Sequence, residues 1–372
     1  MDATTSSDSN IPRVALAGYY GAGNFGDDLA AVLFGLALGR RGVPVRVYGL
    51  CEPYARRFGF ETASSPAQLL DGAGAFVWGG GGLLVSWPSL TYRLLYRSAA
   101  SRLDALVREV EARAMPVLLA SVGGDGRPVT RLTPAYKARL LAAARWVSVR
   151  NAQDVDVLAA AGRAAECFPD VIWGLGTEIP LSRRRADRPR IGIDLYPSNL
   201  IRQRAVHLLP RLHTLVRARP ECDFVFLDTT NASCTRYRGL AGIIRGPNVH
   251  RYQFRDLDAD LALVGSLDVV FSSRLHVPVV AMQCGVPAVS VFAEGKTRLL
   301  FRNLGLERYC VHHEGAASAS VFTSAGLDLD QLLQEYPFPD VARLAESSRG
   351  HVEGLLRALP RSVVLSGRDT RT

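Results

Sequence analysis

Short runs of β-branched and apolar residues alternate along the chain with longer stretches whose apolar positions recur at helical spacing. "RVALAGYY" (13–20) predicts a strand, "DDLAAVLFGLALGRRG" (27–42) a helix closed by Gly42, and "VPVRVYGL" (43–50) a second strand. The rhythm continues through the strand-to-glycine run "GAFVWGGGG" (74–82), the amphipathic "LTYRLLYRSAASRLDALVREVEARA" (90–114) and the strand "MPVLLASVGG" (115–124). A helix over 134–144, the strand "WVSVR" (146–150) and a helix over 152–162 follow. Strand and helix periods taking turns in this way predict a parallel sheet with helices on its faces.

The segment "EIPLSRRRADRPR" (178–190) breaks the alternation with prolines and arginines and reads as a linker. Beyond it the pattern restarts: strand 191–196, helix 200–219, strand "DFVFLD" (223–228), strand "VVFSS" (269–273), helix 275–284 and strand "PAVSVF" (287–292). The predicted fold is therefore α/β, with two Rossmann-like domains facing a cleft: residues 11–177, the linker 178–190, and residues 191–360. In such sheets ligands sit beyond the carboxyl ends of the strands, so functional residues are sought immediately after strands.

Composition narrows the class. At 372 residues and 48% hydrophobic the chain can bury two cores. The polar ends, "MDATTSSDSN" and "SGRDTRT", read as unstructured. No secretion signal is expected, because the first residues carry neither a basic start nor an apolar run. The apolar stretch 277–293 is broken by Gln283, Gly285 and Pro287, which excludes it as a membrane span. Six cysteines without CxxC pairs predict reduced thiols and a cytoplasmic protein. The net charge of +9 is carried almost wholly by arginine, since Lys137 and Lys296 are the only lysines. Spread over helix faces this charge is solvation; gathered on one surface it favours anionic substrates or an anionic membrane leaflet.

Two glycine clusters follow strands of the first domain. In "GYYGAGNFGDD" (18–28), Gly21 lets the backbone approach a ligand, and Asn24 and Asp27 offer groups for hydroxyls; Asp27 or Asp28 can equally cap the following helix. In "WGGGGLL" (78–84), Gly80 and Gly81 expose consecutive N–H groups suited to an anion or a sugar. Neither has the spacing of a dinucleotide fingerprint or a P-loop. Arg150 ends a strand, where its guanidinium can fork onto carboxylate or phosphate. Arg274 and His276 stand where "VVFSS" meets a helix, and Lys296 opens the helix after the next strand. Cations are disfavoured at helix N-termini unless an anion occupies them, so this set predicts a small, highly charged anionic ligand.

Acidic runs at 154–156, 256–260 and 326–330 read as caps and solvated faces, and no metal site is predicted. GxSxG and HExxH motifs are absent, and dispersed arginines without a recognition motif exclude a nucleic-acid module.

"GYYGAGNFGDD", "WGGGGLL", "SVRNAQDVDVL" and "SSRLHVPVVAMQCGVPAVSV", followed by "GKTRLLF", together resemble the polysaccharide pyruvyl transferase family, in order from about Val14 to Cys310. The resemblance implies a GT-B-like arrangement and transfer of the enolpyruvyl unit of phosphoenolpyruvate onto two sugar hydroxyls, giving a pyruvate ketal and phosphate without a cofactor. It implies that Arg150, His276 and Lys296 grip the donor with Arg274 beside them. Asn24, Asp27 and the glycines would then face the acceptor, Asp27 as its base. A lipid-linked acceptor would bring the protein to the inner membrane leaflet. Asn151, where the family has an acidic residue, and the segment 121–129 depart from the pattern and bear on the acceptor. The rival readings are a GT-B glycosyltransferase using a nucleotide sugar, with Glu294 as nearest ribose ligand, and a non-catalytic sugar- or phosphate-binding relative.

Overall fold

The computed structural model describes residues 12–21, 24–85, 97–128, 133–195, 209–229, 244–291, 295–311 and 334–365. Glu294 and the acidic run 326–330 lie outside them.

The first sheet contains β1 (Arg13–Ala17), β2 (Val45–Tyr48), β3 (Glu61–Ala63), β4 (Ala73–Gly79), β5 (Val117–Val122), β6 (Ala144–Val149) and β7 (Glu166–Cys167), in the order β3-β2-β1-β4-β5-β6-β7. The second contains β8 (Arg190–Asp194), β9 (Asp223–Asp228), β10 (Val249–Gln253), β11 (Val269–Ser272), β12 (Ala288–Val291) and β13 (Cys310–Val311), in the order β10-β9-β8-β11-β12-β13. All the pairings are parallel. Each order reverses once, between β1 and β4 and between β8 and β11. Loops leaving adjacent strands diverge there, and a crevice opens at the strand ends.

Central strands are buried on both faces and so read as unbroken apolar runs, as in the wholly buried "VLLASV" of β5. The short edge strands β3, β7 and β13 carry too few apolar residues to stand out in the sequence, and β10 ("VHRYQ") is half polar because it too is an edge. Trp78 and Trp173 are the largest fully buried side chains. Each such burial contributes roughly 2–3 kcal/mol by removal of apolar area from water.

The C-terminal segment departs from the expected second domain, residues 191–360. Helices Val341–Ser348, Gly350–Ala358 and Arg361–Leu365 return to the first domain. Gly354 rests on the Trp146 indole, Gly350 on the Phe168 ring, and Val363 against Gly74. Periodicity announces a helix with an apolar stripe, but not which sheet the stripe covers. Between the domains, the Phe25 and Phe254 rings meet edge to face at 4.7 Å, Tyr54 donates to Asp260 (3.1 Å), and Gln283 donates to the Ile172 carbonyl (2.8 Å). Among the described residues, no helix is long and apolar enough to cross a membrane.

Candidate functional site

The loops after β1 and β4 meet at the first switch point. Gly21 adopts φ +64°, and a Cβ there would lie 1.9 Å from the Gly49 carbonyl oxygen, so only glycine fits. Gly80 and Gly81, at φ +70° and +77°, turn the chain out of β4. Helix α1 (Phe25–Gly39) starts beside this turn, preceded by Asn24 in an extended conformation. Asp27 and Asp28 are not its caps. Both stand in its first turn, where the helix dipole favours a carboxylate. Asn24 donates to Asp27 Oδ2, and the other Asp27 oxygen lies 3.3 Å from where a Cβ on Gly81 would be. The predicted acceptor-side residues Gly21, Asn24, Asp27, Gly80 and Gly81 thus share one locality, edged by the Tyr19 and Tyr136 hydroxyls, 3.0 Å apart. Asp28 faces inward and accepts the Gly21 N–H at 2.7 Å. Burial pushes its carboxyl up to about 7 despite that bond.

Arg150 follows β6, and His276 opens the helix His276–Gln283 after β11. The structure brings them together: Arg150 Nη1 lies 3.3 Å from His276 Nε2. Between them stands Asp170, which the sequence reading passed over. It accepts from Arg150 Nη1 at 2.7 Å and lies 3.5 Å from His276 Nε2. Burial alone would raise the Asp170 carboxyl, but the Arg150 guanidinium, with His276 beside it, outweighs this and holds it well below the usual carboxylate range. His276 Nε2 can therefore accept from Arg150 or, when protonated, donate to Asp170. That geometry suits a group that passes a proton. Arg150 Nε and Nη2 are buried and meet no hydrogen-bond partner among the described residues. Buried guanidinium donors left this way are costly unless a ligand anion completes them.

Two glycines make room for this pair. A Cβ on Gly26, in the first turn of α1, would lie 1.6 Å from His276 Nδ1. One on Gly123 would lie 2.2 Å from Arg150 Nε. Gly123 also donates to the Gly81 carbonyl at 3.0 Å, so one short segment joins the glycine turn to Arg150. The two departures noted in the sequence are tied together as well. Asn151 donates to Asp154 (2.9 Å), whose same oxygen accepts the Gly124 N–H (2.7 Å).

Arg274 and Lys296 have settings of their own. Arg274 donates to Thr229 Oγ1 at 2.9 Å, and Thr229 in turn donates to the fully buried Asp194 at the end of β8. The Thr229 carbonyl accepts the Phe25 N–H, which ties this group to the start of α1. Lys296 stands in the first turn of the helix Gly295–Asn303, where Gly295 packs on Asp125. Its charge reaches Lys137, so the chain's two lysines form a second cationic locality with Asp125. Lys137 is buried and donates to the Val85 carbonyl at 3.0 Å. Burial, with Lys296 adding to it, brings its ammonium down to about 7 although Asp125 opposes. The sequence signal for Lys137 is its rarity alone; Gly26 stands in the glycine loop 18–28 and Gly123 in the departing segment 121–129, but neither stretch foreshadows the contact with His276 or Arg150. No group of three or more metal-ligating side chains occurs among the described residues.

Solved structures share this architecture. The S. aureus MnaA–UDP co-structure matches with a TM-score of 0.63 at 9% identity, over 93% of this chain and 97% of that one. UDP-GlcNAc 2-epimerase from Neisseria meningitidis bound to UDP-GlcNAc matches at 0.58 and 10%, over 93% and 100%. The Methanocaldococcus jannaschii UDP-GlcNAc 2-epimerase, in complex with UDP-GlcNAc and UDP, matches at 0.58 and 8%, over 93% and 99%. At such identities the likeness is one of fold, and the fold is GT-B-like, two parallel-sheet α/β domains about a cleft. A search of curated proteins gives no match. Residues 24–293 match the model of the polysaccharide pyruvyl transferase family. The chain belongs to that family, a family of transferases.

Proposed function

We propose that the protein transfers the enolpyruvyl unit of phosphoenolpyruvate onto two hydroxyls of a sugar or glycan, forming a pyruvate ketal and releasing phosphate. The observation that carries this reading is Arg150, whose buried Nε and Nη2 lack partners among the described residues while Nη1 is held by Asp170 beside His276. Phosphoenolpyruvate presents a carboxylate and a phosphate on one small carbon frame. In this reading Arg150, the start of the helix His276–Gln283, Arg274 and Lys296 supply positive charge for both.

In the reaction, C3 of the enol phosphate gains a proton, for which His276 is the donor in this account. The first sugar hydroxyl adds to C2 and gives up its proton, with Asp27 as the base. The C2–O bond to phosphate then breaks with its electron pair on the departing oxygen, and the second hydroxyl adds to C2 and loses its proton. The methyl group and two new C–O bonds complete the ketal. The acceptor lies along Asn24, Asp27 and the Gly80–Gly81 turn. If it is carried on a lipid, the net charge of +9 favours the anionic inner leaflet of the membrane. No cofactor enters the scheme.

Incubation with phosphoenolpyruvate and a panel of lipid-linked and free glycans tests the reading, followed by phosphate release and product mass. Acceptor-dependent phosphate release, abolished in Arg150→Met and His276→Ala, is expected. Release of nucleotide from a UDP-sugar, with phosphoenolpyruvate untouched, would transfer the chain to the glycosyltransferase reading.

A further inference from the structure

The helix Gly350–Ala358, which returns from the second domain, carries a fully buried histidine that the scheme above does not use. His351 Nε2 lies 3.0 Å from the Pro169 carbonyl and Nδ1 lies 2.8 Å from Ser148 Oγ. A carbonyl can only accept, so Nε2 carries the proton and bare Nδ1 accepts from the Ser148 hydroxyl. Ser148 Oγ in turn accepts the Ser121 N–H at 3.1 Å, and Ser121 Oγ accepts the Val171 N–H at 3.1 Å. Ser121 pays for that bond with a left-handed backbone, φ +54°, a conformation a non-glycine residue keeps only when its surroundings dictate it.

The two ends of this chain of hydrogen bonds grip the residues on either side of Asp170. His351 holds the Pro169 carbonyl and Ser121 holds the Val171 amide, while Asp170 Oδ1 accepts from Ile172 N at 3.0 Å. The remaining oxygen, Oδ2, is the one that reaches Arg150 and His276. We propose that His351 is a positioning residue for the Arg150–Asp170–His276 cluster, fixing from behind the backbone on which Asp170 stands. Burial keeps the imidazole neutral, down to about 4, with Asp170 opposing and Arg150 assisting, so the tautomer is held through the neutral range. By this device the C-terminal helices, which contribute no residue to the candidate site, decide its geometry.

The inference rests on the cluster's geometry and not on the identity of the donor. Its test uses the full chain with ¹⁵N-labelled histidine. His351→Phe keeps a ring against Phe168 and removes both hydrogen bonds. Leu355→Ala, one turn along the same buried face, loosens the helix without touching Pro169. The unsubstituted chain should show His351 as the Nε2–H tautomer at neutral pH. His351→Phe should move the His276 ring resonances and weaken phosphoenolpyruvate binding about tenfold or more. Leu355→Ala should lower Tm and leave both unchanged. Ser148→Ala takes the place of His351→Phe if the latter does not fold, with a smaller shift in the same direction. Equal responses to the His351 and Leu355 substitutions, or unmoved His276 resonances in His351→Phe and Ser148→Ala, would overturn the proposal. Failure of the unsubstituted chain to bind phosphoenolpyruvate would remove the donor reading alone, because the His276 resonances still decide the positioning.

Discussion

Asp170 and Asp28 are both buried carboxylates near the start of α1, and their protons behave in opposite ways. Asp170 has a guanidinium at 2.7 Å and stays ionised; Asp28 has a backbone N–H at 2.7 Å, which burial outweighs, and holds its proton to about 7. One amide donor does not offset desolvation of a charge; a full opposite charge does. The comparison separates a region built to hold charge, around Arg150, from one built to exclude it, under the glycine turn.

Removing the cation from the first region gives the largest expected effect. Arg150→Met leaves Asp170 buried without its main counter-charge and should cost about 3–5 kcal/mol at neutral pH, measured by denaturant unfolding. A loss below about 1 kcal/mol would mean that His276 alone sustains the carboxylate.

The second region predicts a pH dependence of opposite sign. The folded-state pKa of Asp28, about 7, is above its unfolded value, so its contribution is fully present below about pH 4 and lost as pH rises through 7. Asp28→Asn keeps an acceptor for Gly21 and should flatten that loss, leaving the variant more stable than the parent at pH 8 by on the order of 2 kcal/mol. Asp170, held low, contributes stability above its unfolded pKa that is lost as pH falls below about 4. Thermal unfolding from about pH 2 to pH 8 reads both slopes. Equal stability of parent and variant at pH 8 would show Asp28 to be ionised without penalty.

Two glycines of α1 sharpen the contrast further. Gly26→Ala drives a methyl group into the His276 ring and should cost about 1–3 kcal/mol. Gly39→Ala meets nothing within 4 Å at the other end of the helix and should gain up to about 1 kcal/mol. Denaturation midpoints distinguish them, and similar losses in both would refute the packing against His276.

Much of this architecture was legible because central parallel strands must be apolar on both faces. "DFVFLD" coincides with β9 from end to end. Arg150, His276 and the glycine turns drew attention for a related reason: charge or glycine directly after such a strand has no place in a core. The residues that escaped notice lacked that contrast. Asp170 follows β7, only two residues long, and looks like any acidic loop position. Gly26 belongs to a legible glycine loop and Gly123 to the departing segment 121–129, but the contacts that make them matter, with His276 and Arg150, are encoded by no local pattern. His351 reads as one polar position in an amphipathic helix, and its burial follows from the crossover to the first sheet.

The most direct test of the account is calorimetric titration of phosphoenolpyruvate into the full chain, beside UDP-GlcNAc, with Arg150→Met and His276→Ala as controls. The account predicts saturable binding of phosphoenolpyruvate that both substitutions abolish, and no comparable binding of UDP-GlcNAc. Saturable binding of UDP-GlcNAc with no response to phosphoenolpyruvate, with or without a glycan acceptor present, would contradict it.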